Sequence, residues 1–165
     1  AEASLRGKSA VLWTTNGTRA IAAAQGAPVV VAAALRNRGA AARRLLEEAA
    51  KRRTGVALVC AGLDRGAAFS LEDTVTAGAM VEAMREEDPS LELVDSAWAA
   101  LHLWRFYRGD ASRAFRHAAH GRALRSMGFE RDLDFSAELD VSESVPVLYM
   151  EDGVKTLRLR PRQRR

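Results

Sequence analysis

The residues best suited to bind an anion lie in a short turn near the start of the sequence. Residues 14–19 follow the apolar residues 11–13 and precede the apolar helical pattern of residues 20–24. A turn between a strand and a helix leaves backbone N–H groups pointing outward at the positive end of the helix dipole. The sequence therefore predicts a phosphate or sulfonate site formed by Thr14, Thr15, Asn16, Gly17, Thr18 and Arg19.

Each residue type in this turn has a physical role. Asn16 and Gly17 adopt left-handed backbone conformations at little steric cost, so the chain can fold tightly around a ligand. The three threonines offer hydroxyl donors, and Arg19 can hold an oxyanion through two parallel hydrogen bonds. The alternative is an ordinary turn in which Thr18 is the N-cap of the following helix.

A second group of polar residues opens a later helix. Ser70, Glu72 and Asp73 follow a loop of small residues that includes Gly62. Ser70 as N-cap with an acid three residues later is a variant of the capping box, and first-turn acids suit the helix dipole. The functional alternative is that Glu72 and Asp73 hold Mg²⁺, which binds carboxylates, waters and substrate oxygens. We predict Asp73 as the catalytic residue.

The elements that position these residues alternate along the chain. Short apolar runs predict strands at residues 10–13, 29–33 and 56–60, and helical patterns are predicted at residues 18–25, 39–53 and 71–85. This order predicts an α/β fold with a mostly parallel sheet flanked by helices. Loops at the carboxyl ends of parallel strands share one crevice, so the turn and the acidic pair should lie near each other.

After Pro89 the pattern changes to a helical pair and a hairpin. We expect helices at residues 95–107 and 111–127, followed by a β-hairpin of residues 145–150 and 154–159 with its turn at Asp152 and Gly153. Residues 1–165 form a single predicted domain, because no linker or repeat divides them.

Composition limits the classes of function. The net charge of +4 comes largely from the basic residues at the end of the chain. Aromatic side chains do not alternate with these residues, so a solvated tail is favoured over a nucleic-acid site. No apolar run reaches the roughly 20 residues needed to span a bilayer. The single cysteine, Cys60, is expected in a reducing cytoplasm.

Five further residues are candidates for the site. Asn37 follows the second predicted strand, where it would bind substrate or stabilise a loop turn. Cys60 is interpreted as an inert buried thiol rather than a nucleophile. His117 and His120 have the spacing of a metal pair but no evident third ligand, and Asp132 is a weaker candidate for the site.

One set of residues at helical spacing predicts which side chains pack into the core. Trp98, Leu101, His102 and Arg105 recur at this spacing, and Trp98 and Leu101 are expected in the core.

Several motifs together resemble the 2-phosphosulfolactate phosphatase family. They occur in the family's order across nearly the whole chain: residues 13–20 (WTTNGTRA), 60–62 (CAG), 69–73 (FSLED) with 77–78 (AG), 121–124 (GRAL), 128–133 (GFERDL) and 145–147 (VPV). The resemblance implies a Mg²⁺-dependent phosphatase that converts 2-phospho-3-sulfolactate to sulfolactate, a step of coenzyme M biosynthesis. This chemistry agrees with the residue-based prediction that the turn binds the small anionic substrate and that Glu72 and Asp73 hold Mg²⁺.

The resemblance also implies a longer protein. Family members carry an additional N-terminal portion with an Asp- and Arg-containing motif that has no counterpart here. We therefore expect residues 1–165 to be the C-terminal part of a family-like protein and to hold only part of its active site. The sequence leaves open whether another segment completes the site, whether the chain forms a homo-oligomer, and whether it is instead a non-catalytic anion-binding module.

Overall fold

The computed structural model describes residues 10–151 and 153–159. Within these residues the elements are, in chain order, α1 (Gly17–Ala23), α2 (Arg38–Arg52), α3 (Leu71–Glu87), α4 (Asp95–Tyr107), α5 (Ala111–His117), α6 (Ala119–Ser126), α7 (Glu130–Ala137), β1 (Pro146–Glu151) and β2 (Val154–Leu159), with short 3₁₀ turns at Ala24–Gly26, Leu35–Asn37 and Asp64–Gly66. The fold is α/β and mostly helical. No described helix has the length and apolar character that a membrane crossing requires.

Helix α3 lies at the centre of the fold. Val75 and Ala79 belong to a buried cluster shared with Leu101 and Trp104 of α4. Other buried residues of α3 pack against Ala41 and Ala42 of α2. Burial on both sides explains why the exposed residues of α3 are confined to its C-terminal end, at Glu86 and Glu87.

The contact between α3 and α4 depends on a glycine. A Cβ atom placed on Gly78 would lie 1.9 Å from the Ala100 carbonyl oxygen and 2.8 Å from the Trp104 Cβ. Any side chain here would force the two helices apart. Leu101 is fully buried, as predicted, whereas the prediction for Trp98 is wrong, because 39% of it is exposed. Trp98 instead stacks on His102, and the Arg85 guanidinium lies over its ring.

The prediction of a mostly parallel sheet is not supported. Residues 10–13 and 56–60 form no strand, and residues 29–33 contribute one antiparallel bridge, between Val31 and Val147. The sheet that forms is the antiparallel pair β1–β2. Apolar composition favoured strands, but a strand also requires a neighbour for its backbone hydrogen bonds, and the described segments do not supply parallel neighbours for one another.

The C-terminal half differs from the prediction in one further way. The helix expected over residues 111–127 breaks at Ala118, whose extended backbone (ψ 148°) separates α5 from α6. Gly121 lies so close to α5 that a Cβ would be 1.7 Å from the Phe115 carbonyl oxygen. Two short helices can make this contact, whereas one straight helix cannot. Helix α7 was not predicted.

The hairpin is confirmed. Pro146 pairs with Leu159 and Glu151 pairs with Val154, which is the register expected for a two-residue connection. Gly153 has a positive φ of 77°, a conformation that favours glycine. Asp152, predicted in the turn, lies outside the described residues, as do residues 160–165 of the basic tail.

Candidate active site

A cavity of about 510 Å³ brings the two predicted site regions together. It is lined by the start of α1, the extended residues 29–34, the extended residues 57–61 and the first turns of α3. Gly17 of the turn and both Glu72 and Asp73 are among the lining residues. The expectation that the turn and the acidic pair share a crevice therefore holds at Gly17, whereas the other predicted turn residues, Thr14, Thr15, Asn16, Thr18 and Arg19, do not line the cavity. The described residues bring these regions together without forming the expected parallel sheet.

The threonines at the ends of the turn hydrogen-bond to each other. The Thr18 backbone N–H donates to Thr14 Oγ1 at 3.0 Å, and the Thr18 hydroxyl donates to the Thr14 carbonyl oxygen at 2.8 Å. Thr14, rather than Thr18, therefore satisfies a free N–H at the start of α1. Thr15 and Arg19 are exposed, and Arg19 makes no ion pair with any described residue.

A hydrogen bond joins the turn directly to the loop before α3. The Arg65 backbone N–H donates to the Asn16 side-chain oxygen at 2.9 Å, across 49 positions of sequence. Arg65 has a positive φ of 59°, which turns its N–H toward Asn16. The contact ties the turn before α1 to the loop before α3.

Asp73 is fixed through both its backbone and its side chain. Its N–H donates to the Ser70 hydroxyl at 3.2 Å, which confirms Ser70 as the N-cap of α3. Its carboxylate accepts the Gly62 N–H at 2.8 Å. In a capping box the carboxylate would instead accept the backbone N–H of the N-cap residue. Gly62 has a φ of +71°, and a Cβ there would lie 2.9 Å from the Ala68 carbonyl oxygen. Glycine at this position is therefore needed to present the N–H to Asp73.

Glu72 contributes an unsatisfied acceptor to the same region. Its Oε2 atom is buried and has no hydrogen-bond partner among the described residues. A buried carboxylate oxygen without a partner is costly, so its position favours a ligand or a water at this point. Among the described residues, no group of three or more His, Cys, Asp or Glu side chains could hold a metal ion.

Asn37 has its hydrogen-bonding groups engaged by the fold. Its side-chain oxygen accepts the Ala34 N–H at 2.8 Å, and its amide donates to the carbonyl oxygens of Ala32 and Ser144 at 3.3 and 2.8 Å. Asn37 is buried and does not line the cavity. These contacts favour the loop-stabilising alternative for this residue.

Sequence reasoning missed Arg36. Its side chain lines the cavity, lies over the Phe135 ring with its guanidinium carbon 3.6 Å from the centroid, and forms an ion pair with Glu138. The signal that could have found it is its place just after an extended apolar segment, where crevice residues occur. Arg36 is a cation in the cavity that can interact with an anionic ligand.

Cys60 lies on the cavity wall and is exposed, so the prediction of a buried thiol is wrong. Surrounding protein atoms still exclude enough water to raise the pKa of the Cys60 thiol above its ordinary value. The negative charge of Asp73 raises this pKa further, while a hydrogen bond with the Thr74 side chain lowers it. At neutral pH the thiol is protonated, which agrees with an inert role.

The remaining candidates lie away from the cavity. His117 Nδ1 is 3.1 Å from the Tyr107 hydroxyl, and His120 is exposed. Asp132 lies exposed on α7 and is not among the residues that line the cavity.

The fold and the cavity define an α/β protein in which the start of α1 and two carboxylates of α3 share one concave site, the type of site that binds small molecules. Its relatives identify the class more closely. The sequence profile described as 2-phosphosulpholactate phosphatase matches residues 1–151, and the chain belongs to the 2-phosphosulfolactate phosphatase family.

Curated relatives agree with this assignment. A protein of Symbiobacterium thermophilum named "Probable 2-phosphosulfolactate phosphatase" is 40% identical over 146 residues, covering 88% of this chain and 60% of the relative. The protein of the same name from Thermotoga maritima is 34% identical over 144 residues, covering 87% of the chain and 58% of the relative. The protein of the same name from Synechococcus sp. (strain CC9605) is 40% identical over 152 residues, covering 90% of this chain and 60% of the relative. The chain thus spans about 60% of the length of these relatives.

Proposed function

We propose that this chain provides a large part of the active site of a phosphatase that hydrolyses 2-phospho-3-sulfolactate, or a similar phosphorylated hydroxy acid, to the hydroxy acid and phosphate. Family membership supports the reaction class. The single observation that carries the proposal is the shared cavity, where the turn and the two carboxylates meet. Hydrolysis of a phosphate ester needs anion-binding donors beside groups that manage the charge and proton of the attacking water.

The substrate would be bound by groups on both sides of the cavity mouth. A molecule with phosphate, sulfonate and carboxylate groups needs several cationic and N–H donors. Gly17 and Arg36 line the cavity, and Arg19 with the other turn residues beside Gly17 would supply further donors when the substrate binds. The Asn16 to Arg65 hydrogen bond keeps the turn in place while the substrate enters.

Asp73 would have the catalytic role because its carboxylate is held in position before substrate binds. One carboxylate oxygen accepts the Gly62 N–H. In direct hydrolysis, a water oxygen forms the new bond to phosphorus and the bond to the hydroxy-acid oxygen breaks. Asp73 or Glu72 would accept a proton from the water and pass it to the departing hydroxy-acid oxygen. A covalent aspartyl intermediate is the alternative route, and burst kinetics distinguishes it.

The acidic pair also fits a magnesium ion. Mg²⁺ is commonly bound through one or two carboxylates, with waters and substrate phosphate completing its ligands. Glu72 and Asp73 would hold it, and the unpartnered Oε2 of Glu72 supports this choice. When bound, the ion would neutralise charge on the phosphoryl oxygens and lower the pKa of a coordinated water.

We also propose that residues 1–165 hold only part of the active site. The chain spans about 60% of its curated relatives, and the described residues hold only two carboxylates at the cavity. We propose a cytoplasmic protein in which a further segment, or another copy of the chain, completes the pocket. Phosphate release at a full enzyme's rate by residues 1–165 alone would contradict an incomplete site.

The test is Asp73→Asn in the full-length family protein that contains this chain. We expect loss of at least about three orders of magnitude in kcat, measured as phosphate released from phosphosulfolactate during a Mg²⁺ titration. Asp95→Asn is the matched control, because Asp95 also lies in the first turn of a helix but is remote from the cavity. Undiminished Mg²⁺-dependent turnover by Asp73→Asn would remove Asp73 from the mechanism. Substrate binding without any phosphate release by the unaltered protein would favour a binding module.

A further inference from the structure

One edge of the extended segment at residues 29–33 lacks a partner. The Leu148 N–H donates to the Val30 carbonyl oxygen and the Ala32 N–H donates to the Pro146 carbonyl oxygen, both at 2.9 Å. These two bonds flank Val31, so its own N–H and C=O point away from β1. Neither group has a backbone partner in the described part of the chain. The segment therefore presents an open strand edge toward the cavity.

The segment at residues 56–61 is open along its whole length. Within residues 10–151 and 153–159, none of its backbone groups forms a hydrogen bond with another backbone group. One side of the segment is nevertheless anchored, because Val56 and Leu58 pack against the buried clusters of α2 and α3. The opposite side carries Val59, which is 64% exposed and lines the cavity. The segment thus belongs to no described helix or strand, and its backbone lacks the hydrogen bonds that an added strand would supply.

Together the two segments form the walls of what we call the strand slot, defined as the part of the cavity between residues 29–33 and 56–61. The lining of both walls is apolar, with valine and alanine predominant. An added β-strand would satisfy both sets of backbone groups and would cover the exposed valine. A small polar ligand would leave the backbone groups unsatisfied.

The apolar residues 11–13 of this chain do not fill the strand slot. Val11, Leu12 and Trp13 are 100%, 72% and 91% exposed. The relatives supply a different candidate, since about two fifths of their length lies outside the match with this chain.

We propose that the strand slot binds an extended apolar strand from that unmatched portion of the family protein. The occupant would have alternating or continuous apolar residues over about five positions, the length of the two walls. The inference rests on family membership and deepens the proposed function. At its carboxyl end, the wall of residues 29–33 leads to Arg36. The wall of residues 56–61 leads to Gly62, whose N–H donates to Asp73. A parallel strand between them would end beside Asp73 and deliver its next residues to the catalytic centre.

The test uses the 165-residue chain and its single cysteine as a reporter. The probe is a polypeptide containing the residues of the Symbiobacterium thermophilum relative that lie outside the match, co-expressed with the chain or added to it. Cys60 lies on one wall, so strand docking should slow its alkylation by iodoacetamide at least tenfold. Amide hydrogen exchange should slow at residues 31 and 57–61 and remain unchanged in α4.

A matched pair of variants makes the test specific. Val59→Asp places a charge on the wall of the strand slot, whereas Val154→Asp places one on β2, at a valine of nearly equal exposure (64% and 63%). Both side chains are exposed, so both variants should keep the fold, which far-ultraviolet circular dichroism checks. We expect Val59→Asp to weaken binding of the probe at least tenfold and Val154→Asp to leave it unchanged.

Four results would overturn the proposal. The probe could fail to bind, or it could bind with equal strength to the two variants and leave Cys60 reactive. Cys60 could already be protected in the free chain and become reactive on deletion of residues 1–13, which would make the chain's own segment the occupant. Protection that rises with chain concentration, without the probe, would make a second copy the occupant. Docking without phosphatase activity would leave the slot established and contradict the proposed reaction instead.

Discussion

The side of the helical core that contacts α4 and the side that faces the cavity differ in two respects. They differ in how far their apolar side chains are buried and in how many of their backbone groups are hydrogen-bonded. On the side of α4, Gly78 allows the helix backbones to touch, and Leu101 and Trp104 are fully buried. On the cavity side, residues 56–61 are extended with unpaired backbone groups in the described part of the chain, and Val59 is exposed. The helical side can be stable by itself, whereas the cavity side has features of a surface that is covered in the functional protein.

This difference separates residues needed for folding from residues needed for function. Gly78 of the family-like motif at residues 77–78 lies in the helix contact, whereas its neighbour Ala77 lines the cavity. The motifs at residues 13–20 and 60–62 contribute Gly17, Ala20, Cys60 and Ala61 to the cavity lining. Substitutions on the helical side should therefore change stability, and those on the cavity side should change ligand or strand binding.

The largest expected effect is on the helical side. Gly78→Ala places a Cβ against the Ala100 carbonyl oxygen and should lower the free energy of unfolding by about 3 kcal/mol, the upper range for overpacking. Thermal unfolding would show a Tm lower by about 6–12 °C. Gly109→Ala is the control, because a Cβ there meets nothing within 4 Å. Equal Tm values for the two variants would contradict the tight helix contact.

The next effect tests the loop that positions Asp73. Gly62→Ala introduces a side chain at a positive φ and close to the Ala68 carbonyl oxygen, so about 1–2 kcal/mol of stability should be lost. Urea unfolding measures the loss. Gly55→Ala, in open space, should cost less than about 0.5 kcal/mol. An unchanged midpoint for Gly62→Ala would mean that the loop does not need glycine.

A smaller effect is expected at the N-cap of α3. Ser70→Ala removes the acceptor for the Asp73 N–H and should cost about 1 kcal/mol. Ser126→Ala, at an exposed serine near the end of α6, provides the comparison and should change stability by less than about 0.5 kcal/mol. If chemical denaturation gives both variants the same stability, the cap has no energetic role.

The smallest effect concerns the electrostatics of the cavity. The Asp73 charge raises the pKa of Cys60, so Asp73→Asn should lower that pKa and increase the thiolate fraction at pH 8. Each half unit of pKa corresponds to about a threefold faster alkylation while the thiol is mostly protonated. The pH dependence of iodoacetamide labelling gives the shift, with Glu92→Gln as a remote control. Overlapping pH profiles for Asp73→Asn and the unaltered chain would show that the two groups do not interact.

Local signals made the starts of α3 and α5 and the hairpin predictable. Ser70 caps α3, Asp110 caps α5 through the Arg113 N–H, and Gly153 supplies the positive φ of the hairpin turn. These features depend on residues a few positions apart, and their physics is therefore visible in the sequence.

Long-range pairing was not predictable in the same way. Residues 29–33 carry a strand-like composition, but their one described neighbour is antiparallel β1, more than 100 positions away. The site was partly predicted, because the acidic pair and the turn do share a cavity. Arg36 was missed, since its position in the cavity depends on contacts with Phe135 and Glu138 that local spacing does not indicate.

The hydrogen bond from Arg65 to Asn16 has a consequence for substrate selectivity. It couples two loops, so ordering of either one by a ligand lowers the entropy cost of ordering the other. A ligand that contacts only one loop gains little from this coupling, whereas a ligand with two separate anionic groups can contact both. The bond would thereby favour molecules with two separate anionic groups over a single compact anion such as inorganic phosphate.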